Sequence, residues 1–78
     1  MTYWATLWYA GTVVLTMGTE GQSLNDCNMI LRMMMIDVET AYADPAKKEQ
    51  LANSVFPTDE FAYTCETERL PVDERYMK

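Results

Sequence analysis

Two stretches near the start of the chain, residues 3–9 and 12–17, are rich in aromatic and β-branched side chains and meet at Ala10-Gly11. Such stretches favour β-strands, and a glycine-containing pair between them favours a tight hairpin turn. Residues 3–17 carry no charge, but they fall short of the ~20 residues that span a bilayer, and no Lys or Arg precedes them as in a signal peptide. We therefore expect a strand pair rather than a membrane or targeting segment.

The alternation of side chains within this hairpin predicts which face is buried. A two-residue turn pairs Trp8 with Val13 and puts five large side chains on the core face: Trp4, Trp8, Val13, Leu15 and Met17. Leu7, Tyr9 and Val14 lie on the opposite face. Because a single three-stranded sheet with one covered face leaves the other open, these three residues are a candidate partner-binding surface.

From Ser23 onward the apolar residues recur at helical spacing, to about residue 43. Ser23 followed by Asp26 is typical of a capping box. On a wheel of about 100° per residue, one broad stripe faces the core: Cys27, Ile30, Leu31, Met34, Val38 and Ala41. Met29, Met33 and Ile36 form a second stripe on roughly the opposite side. A domain this small rarely buries a helix all round, so we expect this stripe to contact another chain, for which adaptable methionine side chains are suited.

The remaining segments complete a β-β-α-α-β order. Asp44-Pro45 ends the long helix and begins a short one, residues 45–54. Residues 61–68 alternate at period two and predict a third strand with three inward side chains: Phe61, Tyr63 and Cys65.

This order predicts a small single α+β domain, residues 1–68, followed by a C-terminal tail, residues 69–78. The three-stranded sheet, made of the N-terminal hairpin and the C-terminal strand, packs on one long and one short helix. We expect the first strand to be central, the long helix to cover the Trp4/Trp8 face, and the third strand to run parallel to the first. Leu70, Val72 and Tyr76 are the tail residues that would fix it to the sheet or to a partner.

Composition narrows the function. The chain has 78 residues, a formal net charge of −6 and no histidine. Its acidity disfavours direct binding to nucleic acid or to an anionic membrane surface. Without histidine, a glycine-rich phosphate loop or a nucleophile with its base, we expect no enzyme activity, no catalytic residues, no metal site and no cofactor.

Two cysteines, Cys27 and Cys65, both fall on inward positions and are expected to be neighbours across the core. They are too few for a disulfide framework or a four-cysteine zinc site. Reduced thiols in a cytoplasmic protein are the favoured interpretation, with a single disulfide as the alternative.

Carboxylates are concentrated late in the chain, and four of them are a candidate acidic surface: Asp59, Glu60, Glu66 and Glu68. Two positions apart on a strand, Glu66 and Glu68 would be about 6.6 Å apart, close to the phosphate spacing that a nucleic-acid mimic must reproduce. We favour the simpler hypothesis that charge protects an edge strand from pairing with other chains.

These features favour a small acidic non-enzymatic module that binds another protein and modulates or blocks it. In size and acidity the chain resembles the accessory proteins and inhibitors that phages and mobile elements encode, which would place it in the host-cell cytoplasm. The alternative is a structural subunit, a homodimer or larger homo-oligomer or a virion component. An acidic nucleic-acid mimic is a lesser alternative.

Overall fold

A computed structural model describes residues 2–18 and 23–76. These residues form, in order, the elements β1 (Trp4–Tyr9), β2 (Thr12–Gly18), α1 (Leu24–Ala43), α2 (Pro45–Ala52) and β3 (Phe61–Glu66), followed by a 3-10 turn, Glu74–Tyr76. The α+β class and the element order are as predicted. The short helix and the last strand both end before the predicted residues 54 and 68.

The turn between β1 and β2 is formed by two residues with positive φ, Ala10 at 50° and Gly11 at 79°. Two positive angles are typical of the type I′ turn, whose twist matches that of the flanking strands. Gly11 adopts this conformation readily, whereas the Cβ of Ala10 crowds the following carbonyl. The Thr12 hydroxyl donates to the Tyr9 carbonyl at 2.6 Å and holds the turn closed.

We predict that Ala10→Asn raises the free energy of unfolding by about 1 kcal/mol, because asparagine tolerates the left-handed region better than alanine. Gly11→Ala is the control. A Cβ at residue 11 would meet no atom within 4 Å, so its expected cost of about 1 kcal/mol comes from the backbone alone. Urea denaturation measures both changes. Equal stability of Ala10→Asn and wild type would contradict this account of the turn.

A β-bulge interrupts the pairing of β1 with β2. Trp8 pairs with Val13 as predicted, but Leu7 then pairs with Leu15, which leaves Val14 as the extra residue. A shift of one residue reverses the two faces of a strand. Beyond the bulge, Leu15 and Met17 therefore lie beside Leu7 and Ala5, and the prediction that they share a face with Trp4 and Trp8 is wrong.

The strand order is β2-β1-β3, so β1 is central as expected. The expectation that β3 runs parallel to β1 is wrong, because the two strands are antiparallel, with Tyr9 opposite Phe61 and Trp4 opposite Glu66. The reason is the difference in helix length. α1 has 20 residues and crosses the whole sheet, whereas α2 has 8 and does not carry the chain back. β3 therefore starts at the end of the sheet that α1 has reached.

α1 packs on the face of β1 that carries Ala5 and Leu7, which are 0% and 8% exposed and form one buried cluster with Cys27 and Met34. The expectation that the helix covers the Trp4/Trp8 face is therefore wrong. Both faces of β1 are apolar, so alternation alone does not distinguish them. The small side chain of Ala5 lets the helix approach closely on this side.

Trp4 and Trp8 are half-buried on the other face. The Trp8 indole N–H donates to the Thr64 hydroxyl on β3 at 2.7 Å. The Arg69 guanidinium lies over the Trp4 ring, 5.6 Å from its centroid, in a cation–π contact. The start of the tail therefore lies against this face.

The tail continues to the far edge of the sheet. The backbone N–H of Asp73 donates to the carbonyl of Val13 on β2 at 3.0 Å. Tyr76 then stacks on Phe56, with ring centroids 5.2 Å apart, and its hydroxyl is 2.9 Å from that of Thr12. Residues 69–76 thus run from the end of β3 past Trp4 of β1 to β2. The prediction that Tyr76 fixes the tail to the domain is confirmed.

Both helix starts follow the predicted capping chemistry. The backbone N–H of Asp26 donates to the Ser23 hydroxyl, and the Asp26 carboxylate accepts from the backbone N–H of Ser23. At α2 the Asp44 carboxylate accepts from the backbone N–H groups of Ala46 and Lys47, with Pro45 in the first turn. Each cap supplies partners to backbone groups that a helix end leaves unpaired.

Cys27 of α1 and Cys65 of β3 are joined by a disulfide bond, with their Cα atoms 6.2 Å apart. The expectation that they are neighbours is confirmed, and the expectation that both are free thiols is wrong. Sequence spacing does not reveal such a bond, because it depends on β3 lying beside β1 and under α1. Cys65 pairs with Ala5 across the sheet, directly below the helix.

We predict that reduction lowers the free energy of unfolding by about 4 kcal/mol, because the bond closes a loop between residues 38 positions apart. Urea denaturation with and without dithiothreitol measures the loss. A variant with both cysteines changed to alanine is the control and should not respond to dithiothreitol. Identical wild-type curves in the two conditions would show that the bond contributes nothing.

Candidate protein-binding surface

α1 presents one apolar stripe to the sheet and a second to solvent, as predicted. All six residues of the inner stripe are buried or half-buried. Met29, Met33 and Ile36 are 59%, 65% and 53% exposed; we call these three residues the outer face of α1. An amphipathic helix has one apolar stripe. The outer face is therefore apolar surface that the fold itself does not use.

The flanks of the outer face differ in chemistry. On the wheel, Arg32 and Glu39 lie on the flank nearer β3, and Asp26 and Asp37 lie on the other flank. Met35 is also exposed, and on the wheel it lies on the same side as Arg32 and Glu39. Sequence reasoning missed Met35 because it falls between the two stripes.

The C-terminal end of α1 is fixed by hydrogen bonds. The Tyr42 hydroxyl lies within hydrogen-bond distance of the carbonyls of Phe56 and Thr58, at 2.8 and 2.6 Å. Burial raises the pKa of Tyr42, and neighbouring Tyr9 and Asp59 raise it further. The hydroxyl therefore stays protonated and remains a donor to the segment that follows α2.

The candidate surface on the sheet is not open. Leu7 is buried beneath α1, Val14 is half-buried against the same core, and Tyr9 is also buried. Tyr9 also packs on Phe56 and Phe61 through ring contacts of 5.2 and 4.9 Å. The expectation that these residues form an exposed face is wrong, because α1 packs on the face of β1 that carries Ala5 and Leu7. The sequence pattern did not distinguish this face from the other, since both are apolar.

The four acidic candidates do not form one patch. Asp59, Glu60 and Glu68 are exposed and Glu66 is half-buried. Glu60 precedes β3 and Glu66 ends it, so the length of the strand separates them. Glu68 lies beyond the strand, and the spacing expected for two strand positions does not apply to it. β3 is an edge strand, which agrees with the hypothesis of a charged, protected edge.

Clustered metal ligands and shifted pKa values are the features of the described residues that bear on candidate chemistry. Over residues 2–18 and 23–76, no three His, Cys, Asp or Glu side chains converge as a metal site would require. Burial raises the pKa of Tyr63, with Glu39 and Asp59 adding to the shift. The Arg75 backbone N–H, which donates to the Asp73 carboxylate, lowers the pKa of Asp73. Both shifts accompany structural contacts.

In the part of the chain that the structure describes, neither helix has the length and apolar character to cross a bilayer. Comparison of the chain with protein-family models, with curated proteins and with solved structures finds no match. Function is therefore inferred from the geometry of this chain.

We predict that Met34→Ala and Met33→Ala, the same substitution at adjacent residues, have very different effects. Met34 is 6% exposed in the core, so its truncation should lower the free energy of unfolding by about 2–5 kcal/mol. Met33 faces solvent, so its truncation should change stability by less than ~0.5 kcal/mol. Urea denaturation measures both, and similar losses at the two positions would mean that α1 is rotated from the orientation described.

Proposed function

We propose that this chain is a small non-enzymatic protein-binding module that modulates or blocks a partner protein through the outer face of α1. The observation that carries the proposal is the exposure of three large apolar side chains, Met29, Met33 and Ile36, on consecutive turns of one helix. Contiguous apolar surface of this kind is a mark of interaction sites. Methionine supports the same function, since its flexible side chain fits irregular partner surfaces.

The rigidity of α1 also supports binding. The helix is capped at Ser23, is bonded to β3 through Cys27 and is held near its C-terminus by Tyr42. A surface that is ordered before it meets its partner loses little conformational entropy on binding. The outer face is therefore suited to presenting side chains to a partner without a change of fold.

A structural subunit that packs against copies of itself is the second candidate. The observation in its favour is that the outer face is flanked by Arg32 and Glu39, charges of opposite sign on one side of the helix. An isologous contact needs such self-complementary pairs. Mimicry of nucleic acid has less support as a function, because the four candidate acidic residues are divided between the two ends of β3.

The net charge bears on the class of partner, and the disulfide bears on the compartment. A net charge of −6 disfavours nucleic acid and anionic lipid as direct partners. The expected cytoplasmic location rested on reduced thiols. The bond between Cys27 and Cys65 instead favours an oxidising compartment, where disulfides persist.

The test is a triple substitution of the outer face, Met29→Lys, Met33→Gln and Ile36→Glu. Interface hot spots are typically worth ~2 kcal/mol or more each, so affinity for a protein captured by the wild-type chain, then purified, should fall at least about a hundredfold. Calorimetry measures the affinity, while circular dichroism and thermal melting should stay near wild type because these residues are not buried.

The matched control replaces three other exposed apolar residues by the same three types: Met17→Lys, Leu15→Gln and Val55→Glu. These residues are 45%, 44% and 47% exposed, and none lies on α1. The control should bind the purified partner as wild type does. Undiminished binding by the outer-face variant, or equal losses in both variants, would rule out the outer face as the binding surface.

A further inference from the structure

We propose that the outer face of α1 binds the same face of a second copy of this chain, with the two helices antiparallel about a two-fold axis. The inference rests on the proposed use of the outer face as a binding surface, and it deepens the second candidate, self-association, by naming the geometry of the contact. It is carried by the spacing of exposed residues along α1 and by the charges that flank them.

Five exposed non-ionic residues follow one another along the outer side of α1 at intervals of four, three, four and three: Met29, Met33, Ile36, Thr40 and Ala43. We call this row the seam. The alternation of four and three is the spacing by which one helix packs its side chains into the gaps of another. In an antiparallel pair, the register that sets Met33 against the partner's Ile36 also sets Met29 against the partner's Thr40. Four of the five seam residues therefore face seam residues of the partner, and Ala43, at the end of the helix, lies level with the partner's Asp26.

The charges beside the seam match in this register. Arg32 and Glu39 are exposed, lie on the same flank and are seven residues apart, which is about two helical turns. A two-fold axis across antiparallel helices brings equal flanks together. Arg32 then lies about 3 Å along the helix axis from the partner's Glu39, well within the reach of its long side chain. The symmetry repeats the pair, so the dimer has two such ion pairs.

A parallel arrangement is less favourable. It would bring opposite flanks together, so that Glu39 faced the acidic flank of the partner, which carries Asp26 and Asp37. Like charges placed opposite each other across an interface oppose association, and here Glu39 would lie only about 3 Å along the helix axis from the partner's Asp37. The antiparallel pair also brings the two acidic flanks together, but its register keeps the partners' like charges about 7.5 Å or more apart along the axis. Helix dipoles also favour antiparallel neighbours, since each helix end then lies beside the oppositely charged end of the other.

Arg32 is available for this contact. The ion pair that the described residues form, between Arg75 and Asp73, lies in the tail and does not involve it. The candidate acidic residues Asp59, Glu60, Glu66 and Glu68 do not oppose docking either. They lie on and around β3, on the sheet side of the helix. A contact between two single helices falls below the ~1,200 Å² of a standard interface, so we expect a reversible dimer.

Sedimentation velocity over a concentration series tests the proposal on the full, disulfide-bonded chain. Wild type should shift from monomer to dimer as concentration rises. Arg32→Glu and Glu39→Arg should each raise the dissociation constant about tenfold or more, because each turns two attractive pairs into repulsive ones. Asp37→Arg is the matched control, because it changes the net charge as Glu39→Arg does but on the other flank, and it should not weaken the dimer.

The decisive experiment mixes the two weakened variants. Arg32→Glu chains carry two acids on the flank and Glu39→Arg chains carry two bases, so an equal mixture should form a heterodimer at least as tight as the wild-type homodimer. Failure of the mixture to associate overturns antiparallel docking, as does weakening by Asp37→Arg without weakening by Glu39→Arg. If the wild-type chain stays monomeric at every concentration, the homodimer is overturned. The proposed function would still be supported if the outer-face triple variant loses binding to a different purified protein.

Discussion

The disulfide between Cys27 and Cys65 is the interaction on which the rest of the structure depends. It joins the long helix to an edge strand directly over Ala5, so it fixes both which face of the sheet is covered and how closely the helix approaches. The buried apolar set of the described residues is small, with Leu7 and Met34 among its larger members. A chain of 78 residues with so small a core gains much from a covalent link.

The features that the sequence could predict are those decided by neighbours along the chain. Gly11 requires a turn, Ser23 with Asp26 requires a helix start, and the two stripes of α1 follow from helical spacing alone. The features it could not predict depend on contacts between distant segments. The choice of the Ala5 face arises when helix and strand meet, and a strand that is apolar on both sides does not indicate which side the helix will cover. The bulge at Val14 lies within the hairpin, but the alternation of side chains does not show where an extra residue is inserted.

The binding surface, too, could be predicted only where it does not depend on contacts between distant segments. The exposed stripe of the helix could be predicted because a small domain covers only one side of a helix, and Met29 and Met33 lie opposite Cys27 and Met34 on the wheel. The sheet candidate failed because its exposure depended on where the helix packs. Residues such as Met35, whose position on the wheel lies between the stripes, require the structure before they can be assigned to either.

The two edges of the sheet are not equivalent. On β2 the bulge at Val14 distorts the ladder, and the backbone N–H of Asp73 already occupies the carbonyl of Val13. β3 pairs with β1 residue for residue from Phe61 to Glu66 and is therefore a regular strand. An unfolded chain that pairs with the sheet as an added strand would meet an irregular edge at β2 and a regular edge at β3. Growth of the sheet into aggregates would start there, where acidic side chains at the two ends of the strand are the protection against it.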